Sequence, residues 1–320
     1  MERSLKVWNG INDLDAGRPR VVATIGNYDG VHRGHQSVLK EVIAEARRRS
    51  CPAALITFDP HPLAVVAPER RPDLVQTRGQ KLRSLEETGL DEVLIVRFTA
   101  ELAALDGDAF FETFLLPSFP LAALRVGTNF RFGKRRAGDF AQLQRIAERQ
   151  GFDVDGTTEL LIDNGSQSGD AVSSSAIRDA VRRGEVSDAQ RMLGRPFALT
   201  GLVARGEQRG RELGFPTANL ETDNMLMPRN GVYITEVRAL AGRYPAMTNI
   251  GLRPTFGGER ISVETHLLDF NEDLYGQRIE VSFLERLREE QPFSDASELA
   301  DQLARDRAAT ESYFSRIELP

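Results

Sequence analysis

The stretch Gly26-Asn-Tyr-Asp-Gly-Val-His32-Arg-Gly-His35 decides the fold of the first half of the chain. An apolar run, Val21–Ile25, precedes it, and residues 36–49, with apolar side chains at helical spacing, follow it. A strand, a glycine-rich turn and a helix in this order bring the N–H groups of the helix start together, where they bind phosphate well. The stretch therefore predicts a phosphate-binding turn with two histidines in the first turn of a helix.

The periodicity of the first half predicts strands that alternate with helices. Continuous apolar runs indicate buried parallel strands at residues 20–26, 53–58, 93–98 and 124–126. Apolar residues at helical spacing and terminating glycines indicate helices at 36–49, 80–88, 108–116 and 140–150. This alternation predicts an α/β domain with a doubly wound, Rossmann-like parallel sheet. Because ligands bind at the carboxyl ends of such strands, residues 27–35, 59–62 and 127–133 are expected to line one crevice.

The pattern changes after about residue 185. Residues 261–268 and 279–283 alternate between apolar and polar side chains, and glycines mark the turns between such segments. These features predict a small antiparallel β-barrel. Asp295 and Glu298 form a capping box that predicts a terminal helix over residues 295–314. We therefore predict two domains, residues 1–185 and 186–320.

Composition limits the classes of function. The chain has 320 residues and a formal net charge of −6, which implies no general affinity for nucleic acid or an anionic membrane. Cys51 is its one cysteine, which excludes an internal disulfide and a cysteine-rich metal cluster. The start lacks the apolar core of a signal peptide, and no apolar run is long enough to cross a bilayer. We expect a cytoplasmic protein without nucleic-acid or membrane partners, and the sequence leaves a homo-oligomer open.

The histidines and the glycine-rich stretches have other interpretations. His32 and His35 have the spacing of two zinc ligands, but two other histidines and one cysteine are a poor supply of further ligands. Residues 127–134 resemble a P-loop only superficially. They have five residues between the glycines, and Arg135 stands where a P-loop has Ser or Thr. Serines 173–175 are also typical helix caps.

Four motifs of the first half occur in one order: residues 26–35, Thr57-Phe-Asp-Pro-His-Pro62, Asn129-Phe-Arg-Phe-Gly133, and Val172-Ser-Ser-Ser-Ala-Ile-Arg178. The pattern His-x-Gly-His resembles the nucleotidyltransferase superfamily. Together the four resemble the FMN adenylyltransferase module of bacterial bifunctional riboflavin kinase/FAD synthetases. Tyr28 replaces the usual phenylalanine and Ser175 a common threonine; neither removes a chemical group.

The second half carries Gly206-Glu-Gln-Arg-Gly-Arg-Glu-Leu-Gly214-Phe-Pro-Thr217-Ala-Asn219, then Asn249-Ile-Gly-Leu-Arg-Pro-Thr255 and Val263-Glu264-Thr-His266. This set resembles the riboflavin kinase module of the same enzymes. Ala204-Arg205 precedes Gly206 where the family often has a histidine. The two resemblances together cover residues 20–315.

For the first module, the resemblance implies that FMN attacks the α-phosphorus of ATP to give FAD and pyrophosphate. It implies that His32 and His35 are catalytic and contact ATP phosphates. Phe132 is expected to be an apolar wall for the flavin ring. The ATP- and FMN-binding residues that the resemblance implies are Gly26, Asp29, Gly34, Asp59, His61, Asn129, Phe132, Ser173, Ser174, Ser175 and Arg178.

For the second module, the resemblance implies that riboflavin is phosphorylated by ATP to FMN and ADP. Glu264 is the implied base, and Thr217 and Asn219 are the implied Mg²⁺ ligands. Spacing alone is also compatible with Glu264 as an outward residue of an alternating strand. The implied ATP- and flavin-binding residues are Gly206, Gly210, Arg211, Gly214, Thr217, Asn219, Arg286 and Arg288. The last two are equally compatible with a solvated surface.

The sequence thus predicts a bifunctional enzyme that uses ATP, riboflavin and Mg²⁺ to make FMN and then FAD. Two other functions stay open. One is an adenylyltransferase for a pantetheine or nicotinamide nucleotide with an accessory barrel. The other is a non-catalytic flavin-binding regulator.

Overall fold

The computed structural model describes residues 4–157, 161–162, 170–205, 214–240, 242–255 and 258–316. The chain divides into two compact units. The first unit comprises Met1–Asp73 and Arg78–Ser173, and the second comprises Leu74–Thr77 and Ser174–Pro320. The predicted boundary at residue 185 therefore differs from this division, which assigns the segment after Ser173 to the second unit.

A six-stranded parallel sheet forms the centre of the first unit. Its strands are β1 (Lys6–Trp8), β2 (Val21–Ile25), β3 (Ala53–Asp59), β4 (Glu92–Arg97), β5 (Leu121–Gly127) and β6 (Asp153–Thr157). Their order is β1-β4-β3-β2-β5-β6. All five pairs are parallel. The continuous apolar runs thus form buried parallel strands, as predicted.

Helices cover both faces of this sheet. They are α1 (Arg33–Arg48), α2 (Pro62–Val66), α3 (Arg78–Glu86), α4 (Ala100–Ala104), a π-helical segment (Ala109–Leu115) and α5 (Phe140–Gln150). Three short 3₁₀ turns are Ile11–Asp13, Pro68–Arg70 and Lys134–Arg136. A further two-stranded sheet pairs β7 (Leu161–Ile162) with β8 (Asp170–Ala171).

Alternate residues of β2 belong to different cores, which explains why the run reads as continuously apolar. Ala23 and Ile25 pack in one cluster with Phe111 and Leu143. Val22 packs in the other cluster, which contains Leu39 of α1. A sheet with a core on each face is doubly wound, as predicted.

The strand order reverses beside β2. From β2 the chain continues to β3 and β4 on one side, and then returns to β5 on the other side. In open α/β sheets, ligands bind at such a switch point, outside the carboxyl ends of the strands. The segment Gly26 to His32 leaves the carboxyl end of β2 and therefore lies at this point.

The second unit contains a closed antiparallel barrel. Its strands are β9 (Phe197–Ala204), β10 (Ala218–Thr222), β11 (Gly231–Ala239), β12 (Gly242–Thr255), β13 (Gly258–Leu267) and β14 (Arg278–Arg288). They close in the order β10-β13-β12-β11-β14-β9, with β9 paired to β10. Thr235, Thr248 and Thr265 are buried and linked by hydrogen bonds of 2.8 and 2.9 Å between their hydroxyls.

Three helices accompany the barrel: α6 (Ser174–Arg183), α7 (Val186–Leu193) and the terminal α8 (Ala296–Ser315). Ile177 of α6 and Leu193 of α7 belong to the same core as Phe283 of the barrel. Asp295 caps α8 by accepting from the Glu298 N–H at 2.9 Å, as the capping box predicts. The predicted barrel and terminal helix are confirmed.

Within the described parts of the chain, every helix is too short or too polar to cross a membrane.

Candidate active sites

His32 is placed by the loop between β2 and α1. Gly30, Tyr28 and Val31 all have positive φ angles, of 87°, 49° and 39°. His32 then caps α1, because its Nδ1 accepts the His35 N–H at 3.3 Å. A neutral His32 with Nδ1 as an acceptor carries its proton on Nε2. The turn that the sequence predicted thus fixes the tautomer of its first histidine.

Three rings stack in this loop. The centroids of His32 and His35 lie 3.6 Å apart with 18° between the planes, and those of Tyr28 and His35 lie 4.3 Å apart. The Tyr28 hydroxyl bonds to Thr24 Oγ1 at 2.8 Å. A Cβ on Gly34 would lie 3.2 Å from two atoms of the His32 ring. Glycine at position 34 is therefore what leaves room for the stack.

The pKa of His35 is lowered at this position. Burial, then the neighbouring His32 and then Lys81 hold the pKa of His35 well below its ordinary value. Burial likewise raises the pKa of Tyr28. The rings of Tyr28 and His35 are therefore uncharged at neutral pH. Because His35 is uncharged, its imidazole can stack on that of His32 at van der Waals distance without charge repulsion.

Gly26 and Asp29 lie on either side of Tyr28 in the same loop. The Gly26 N–H donates to the Ile56 carbonyl at 3.0 Å, so Gly26 continues the pairing of β2 with β3. Asp29 is buried. Its carboxylate favours the charged form of Lys81. The sequence interpretation did not single out Lys81, because a lysine in a polar helix is normally solvated.

Asp59 and His61 follow β3 at the same edge of the sheet. His61 Nδ1 accepts the Leu63 N–H at 3.2 Å and so caps α2, and its Nε2 lies 3.0 Å from the Asn27 side-chain amide. Asp59 Oδ2 lies 3.7 Å from Arg78 Nη1. The structure thus brings His61 to the loop that carries His32, as expected for two segments that each follow a parallel strand.

Asn129 and Phe132 follow β5. The Asn129 side chain folds over Gly127, since a Cβ there would lie 2.8 Å from Asn129 Oδ1. Phe132 is buried, and its ring packs edge-on against Phe111 at 5.3 Å. Phe130, which is only half-buried, stacks on Phe132 with centroids 5.4 Å apart. The ring of Phe130 is therefore more exposed than that of Phe132, the predicted flavin wall.

The serine motif begins at the end of the first unit. The Val172 carbonyl lies 3.8 Å from the position that a Gly34 Cβ would take, so the chain passes the histidine loop immediately before Ser173. Ser174, Ser175 and Arg178 lie in the first turns of α6, which belongs to the second unit. Their predicted role at ATP phosphates stays a prediction.

A cavity of about 270 Å³ lies in the second unit, between the outer face of the barrel and α8. Thr217, Glu264 and Arg288, all predicted site residues, line it. Its apolar lining is Phe215, Val232, Met247, Phe293, Leu299 and Leu303. A cavity with an apolar wall and a few converging polar groups is the usual form of a small-molecule site.

Glu264 lies at the centre of a row of polar residues. In the strand register it faces Asn219 of β10 on one side and Asn249 of β12 on the other. Neighbouring Val263 and Thr265 are buried on the opposite face of β13, in the barrel interior. The alternation that made Glu264 an outward residue therefore also places it in the cavity under α8.

The two predicted arginines differ in position. Arg288 lines the cavity and bonds to Asp306 of α8 at 2.8 Å. Arg286 does not line this cavity; its Nη2 donates to the Asn230 carbonyl at 2.7 Å, and its side chain packs against Gly184. Arg286 therefore stabilises the turn before β11 and is not part of the cavity wall.

The polar cavity residues not assigned from the sequence include Asn249, His266 and Glu290. His266 Nδ1 donates to the Pro216 carbonyl at 2.8 Å, next to Thr217. Asn249 donates to Glu290 at 3.2 Å. His266 and Glu264 are two residues apart in one strand, so strand alternation could have identified His266.

Gly206, Gly210 and Arg211 lie outside the described residues. Gly214 is in an exposed turn before Thr217. Thr217 and Asn219 offer a hydroxyl and an amide oxygen, hard donors of the kind that Mg²⁺ accepts. Where the structure describes the chain, it shows no cluster of three or more His, Cys, Asp or Glu side chains suited to a metal.

Family models match both units. The FAD synthetase model matches residues 15–176, and the riboflavin kinase model matches residues 193–314. The bifunctional riboflavin kinase/FMN adenylyltransferase of Escherichia coli strain K12 is 39% identical over 312 residues, which cover 97% of this chain and 98% of the relative. The chain belongs to the bifunctional riboflavin kinase/FMN adenylyltransferase family. The relative from Pseudomonas fluorescens is 36% identical, over 95% of this chain and 96% of its own length.

A solved structure has the same fold as this family member. A crystal structure described as a macrolide-efflux protein from Streptococcus pneumoniae matches with a TM-score of 0.86 and 29% identity. It covers 96% of this chain and 99% of its own. The predicted bifunctional riboflavin kinase and FMN adenylyltransferase is therefore confirmed as the function, with ATP as the family's co-substrate. The alternative adenylyltransferases and the non-catalytic regulator are not supported.

Proposed function

We propose that adenylyl transfer takes place at the stacked histidines. The FMN phosphate attacks the α-phosphorus of ATP, the bond from that phosphorus to the oxygen bridging it to the β-phosphorus breaks, and negative charge grows on the leaving pyrophosphate. His32 donates from Nε2–H to an ATP phosphate, since its Nδ1 is occupied by the His35 N–H. His35 supports that ring by stacking. No protein nucleophile is required, and catalysis comes from positioning and charge stabilisation.

The observation that carries this proposal is the His32–His35 stack, 3.6 Å between centroids, at the switch point of the sheet. His61 and the half-buried Phe130 complete the FMN side. Phe130 supplies the flavin wall that the sequence interpretation assigned to Phe132, because Phe132 is buried in the core.

We propose that riboflavin is phosphorylated in the cavity under α8. Glu264 accepts the proton of the ribityl hydroxyl as that hydroxyl attacks the γ-phosphorus and ADP leaves. Glu264 faces Asn219 and Asn249 in the strand register, which places a base among neutral polar groups.

Mg²⁺ belongs to this second proposal. Thr217 and Asn219 would hold it through their oxygens, together with substrate phosphates, because Mg²⁺ commonly takes only one or two protein ligands. The ion supplies neutralisation of phosphate charge. A cytoplasmic location, the domain boundary at residue 185, and the absence of nucleic-acid and membrane partners stay predictions from the sequence.

The test supplies purified protein with riboflavin and ATP, with and without Mg²⁺, and separates the flavins by chromatography. We expect both FMN and FAD with the metal and neither without it. A folded protein that binds flavin and forms no FMN or FAD contradicts the proposal.

A further inference from the structure

Lys81 joins two strands at the histidine loop. It lies on α3, and its Nζ donates to the Asn27 carbonyl at 2.6 Å and to Thr57 Oγ1 at 2.7 Å. Asn27 follows β2, and Thr57 belongs to β3. One ammonium group therefore ties the start of the histidine loop to the neighbouring strand, at the edge of the sheet where ligands bind.

The surroundings of Lys81 are unusual for a lysine. The two groups that it contacts there are uncharged, although a buried ammonium is normally paired with a carboxylate. Burial lowers the pKa of Lys81 to about 8, while Asp29 and then Asp59 favour its charged form. Arg78, one turn earlier on α3, faces Asp59. A half-buried lysine held by two neutral oxygens at this edge of the sheet points to a role that a fully solvated lysine does not have.

His35 is the group on which this charge acts. The charge of Lys81 is one of the causes that lower the pKa of His35, after burial and the facing His32 ring. Tyr28 on the other face of His35 is uncharged at neutral pH. Within the described part of the chain, His32 and Lys81 both disfavour the imidazolium form of His35, whose ring stacks on His32 at 3.6 Å.

We propose that Lys81 is a positioning residue of the adenylyl-transfer site, which ties the Asn27 end of the histidine loop to Thr57 of β3. The inference rests on the proposal that adenylyl transfer occurs at this loop. Lys81 acts through Asn27 and His35 and forms no covalent bond.

Two pH effects follow. Above about pH 8 the ammonium loses its proton, so FAD formation from FMN should decline there. The charge of Lys81 helps to lower the pKa of His35. Removal of that charge should therefore raise this pKa and move the acid limb of the pH profile of FAD formation to higher pH. Riboflavin phosphorylation, at the other site, should show neither change.

The experiment compares Lys81→Met and Lys81→Arg with a matched control, Lys40→Met, which removes an exposed lysine from α1. FAD formation from supplied FMN is measured from pH 5 to 10, and the His35 ring is titrated by NMR. We expect Lys81→Met to lower the rate about 10- to 100-fold, the usual effect of a misplaced catalytic group, and to raise the His35 pKa. Lys81→Arg should keep more of the rate and lose the decline above about pH 8, since arginine stays charged. Lys40→Met should match the parent chain.

Two results overturn the inference. One is a Lys81→Met chain with the parental rate and an unchanged His35 titration. The other is an equal loss in both variants, with a lowered melting temperature and no change in either limb, which indicates packing alone. A parent chain that makes no FAD would count against the proposed site and not against Lys81.

Discussion

Arg288 of β14 and Asp306 of α8 form a nearly buried ion pair that ties the terminal helix to the barrel. Arg288 Nε lies 3.1 and 3.0 Å from the two carboxylate oxygens, and Nη2 lies 2.8 Å from one of them. The side chains are 18% and 5% exposed. Both residues line the cavity that contains Glu264, so the pair forms part of the wall of the proposed riboflavin site.

Asp306→Asn should therefore destabilise the second unit and weaken riboflavin phosphorylation. Removing one partner of a buried pair leaves a buried charge uncompensated, at a cost of about 3 kcal/mol in the free energy of unfolding. Thermal unfolding and the KM for riboflavin are the measurements. Asp269→Asn is the control, because its pair with Arg307 is exposed at Asp269 and should contribute about 1 kcal/mol or less. Equal effects of the two substitutions would contradict this role.

Glu264→Gln should abolish most FMN formation. It keeps the shape of the side chain and removes the base, so we expect a loss of about 10²- to 10⁴-fold in kcat with a small change in KM. FAD formation from supplied FMN should persist. Glu280→Gln, in β14 of the same barrel, is the control, since Glu280 pairs with Arg238 outside the cavity lining. Retention of full kinase activity by Glu264→Gln would exclude Glu264 as the base.

The double variant His32→Ala with His35→Ala should have the reverse effect. It removes the stacked rings and the side-chain cap of α1, so adenylyl transfer should fall by about 10²-fold or more. The cap contributes about 1 kcal/mol to stability, so the chain should still fold. FMN production from riboflavin serves as the internal control. FAD formation at the parental rate would place the reaction elsewhere.

Gly34→Ala tests the stack with one methyl group. The new Cβ would lie 3.2 Å from the His32 ring, so the ring must shift and the rate of FAD formation should fall. Gly79→Ala is the control, because nothing lies within 4 Å of its added Cβ. It should stabilise α3 by up to about 1 kcal/mol. Unchanged FAD formation in Gly34→Ala would show that the exact position of the His32 ring has little effect.

The sequence predicted the architecture because the periodicities that encode it are local. Strand β2 reads as continuously apolar because Val22 and Ala23 belong to cores on opposite faces of one sheet. Glu264 was found through its motif, and strand alternation then explains why it faces outward into the cavity. These features depend on residues close together in the chain.

Other site features depend on contacts between distant segments, which spacing does not encode. Lys81 lies in a polar helix and becomes half-buried only because α3 packs beside Asn27 and Thr57. Phe130 and Phe132 lie in an irregular loop, so no periodicity shows which ring is buried. Helix α6 follows the motifs of the first half, but Ile177 packs in the core of the second unit.

The most direct test of two independent sites in one chain mixes two full-length variants, each of which is inactivated at a different site. Glu264→Gln should make very little FMN or FAD from riboflavin, and His32→Ala with His35→Ala should make FMN with very little FAD. An equimolar mixture of the two folded variants, given riboflavin, ATP and Mg²⁺, should form FAD, because FMN from one chain reaches the intact site of the other. A mixture that forms no FAD, or a single variant that loses both activities while its fold persists, would contradict the account.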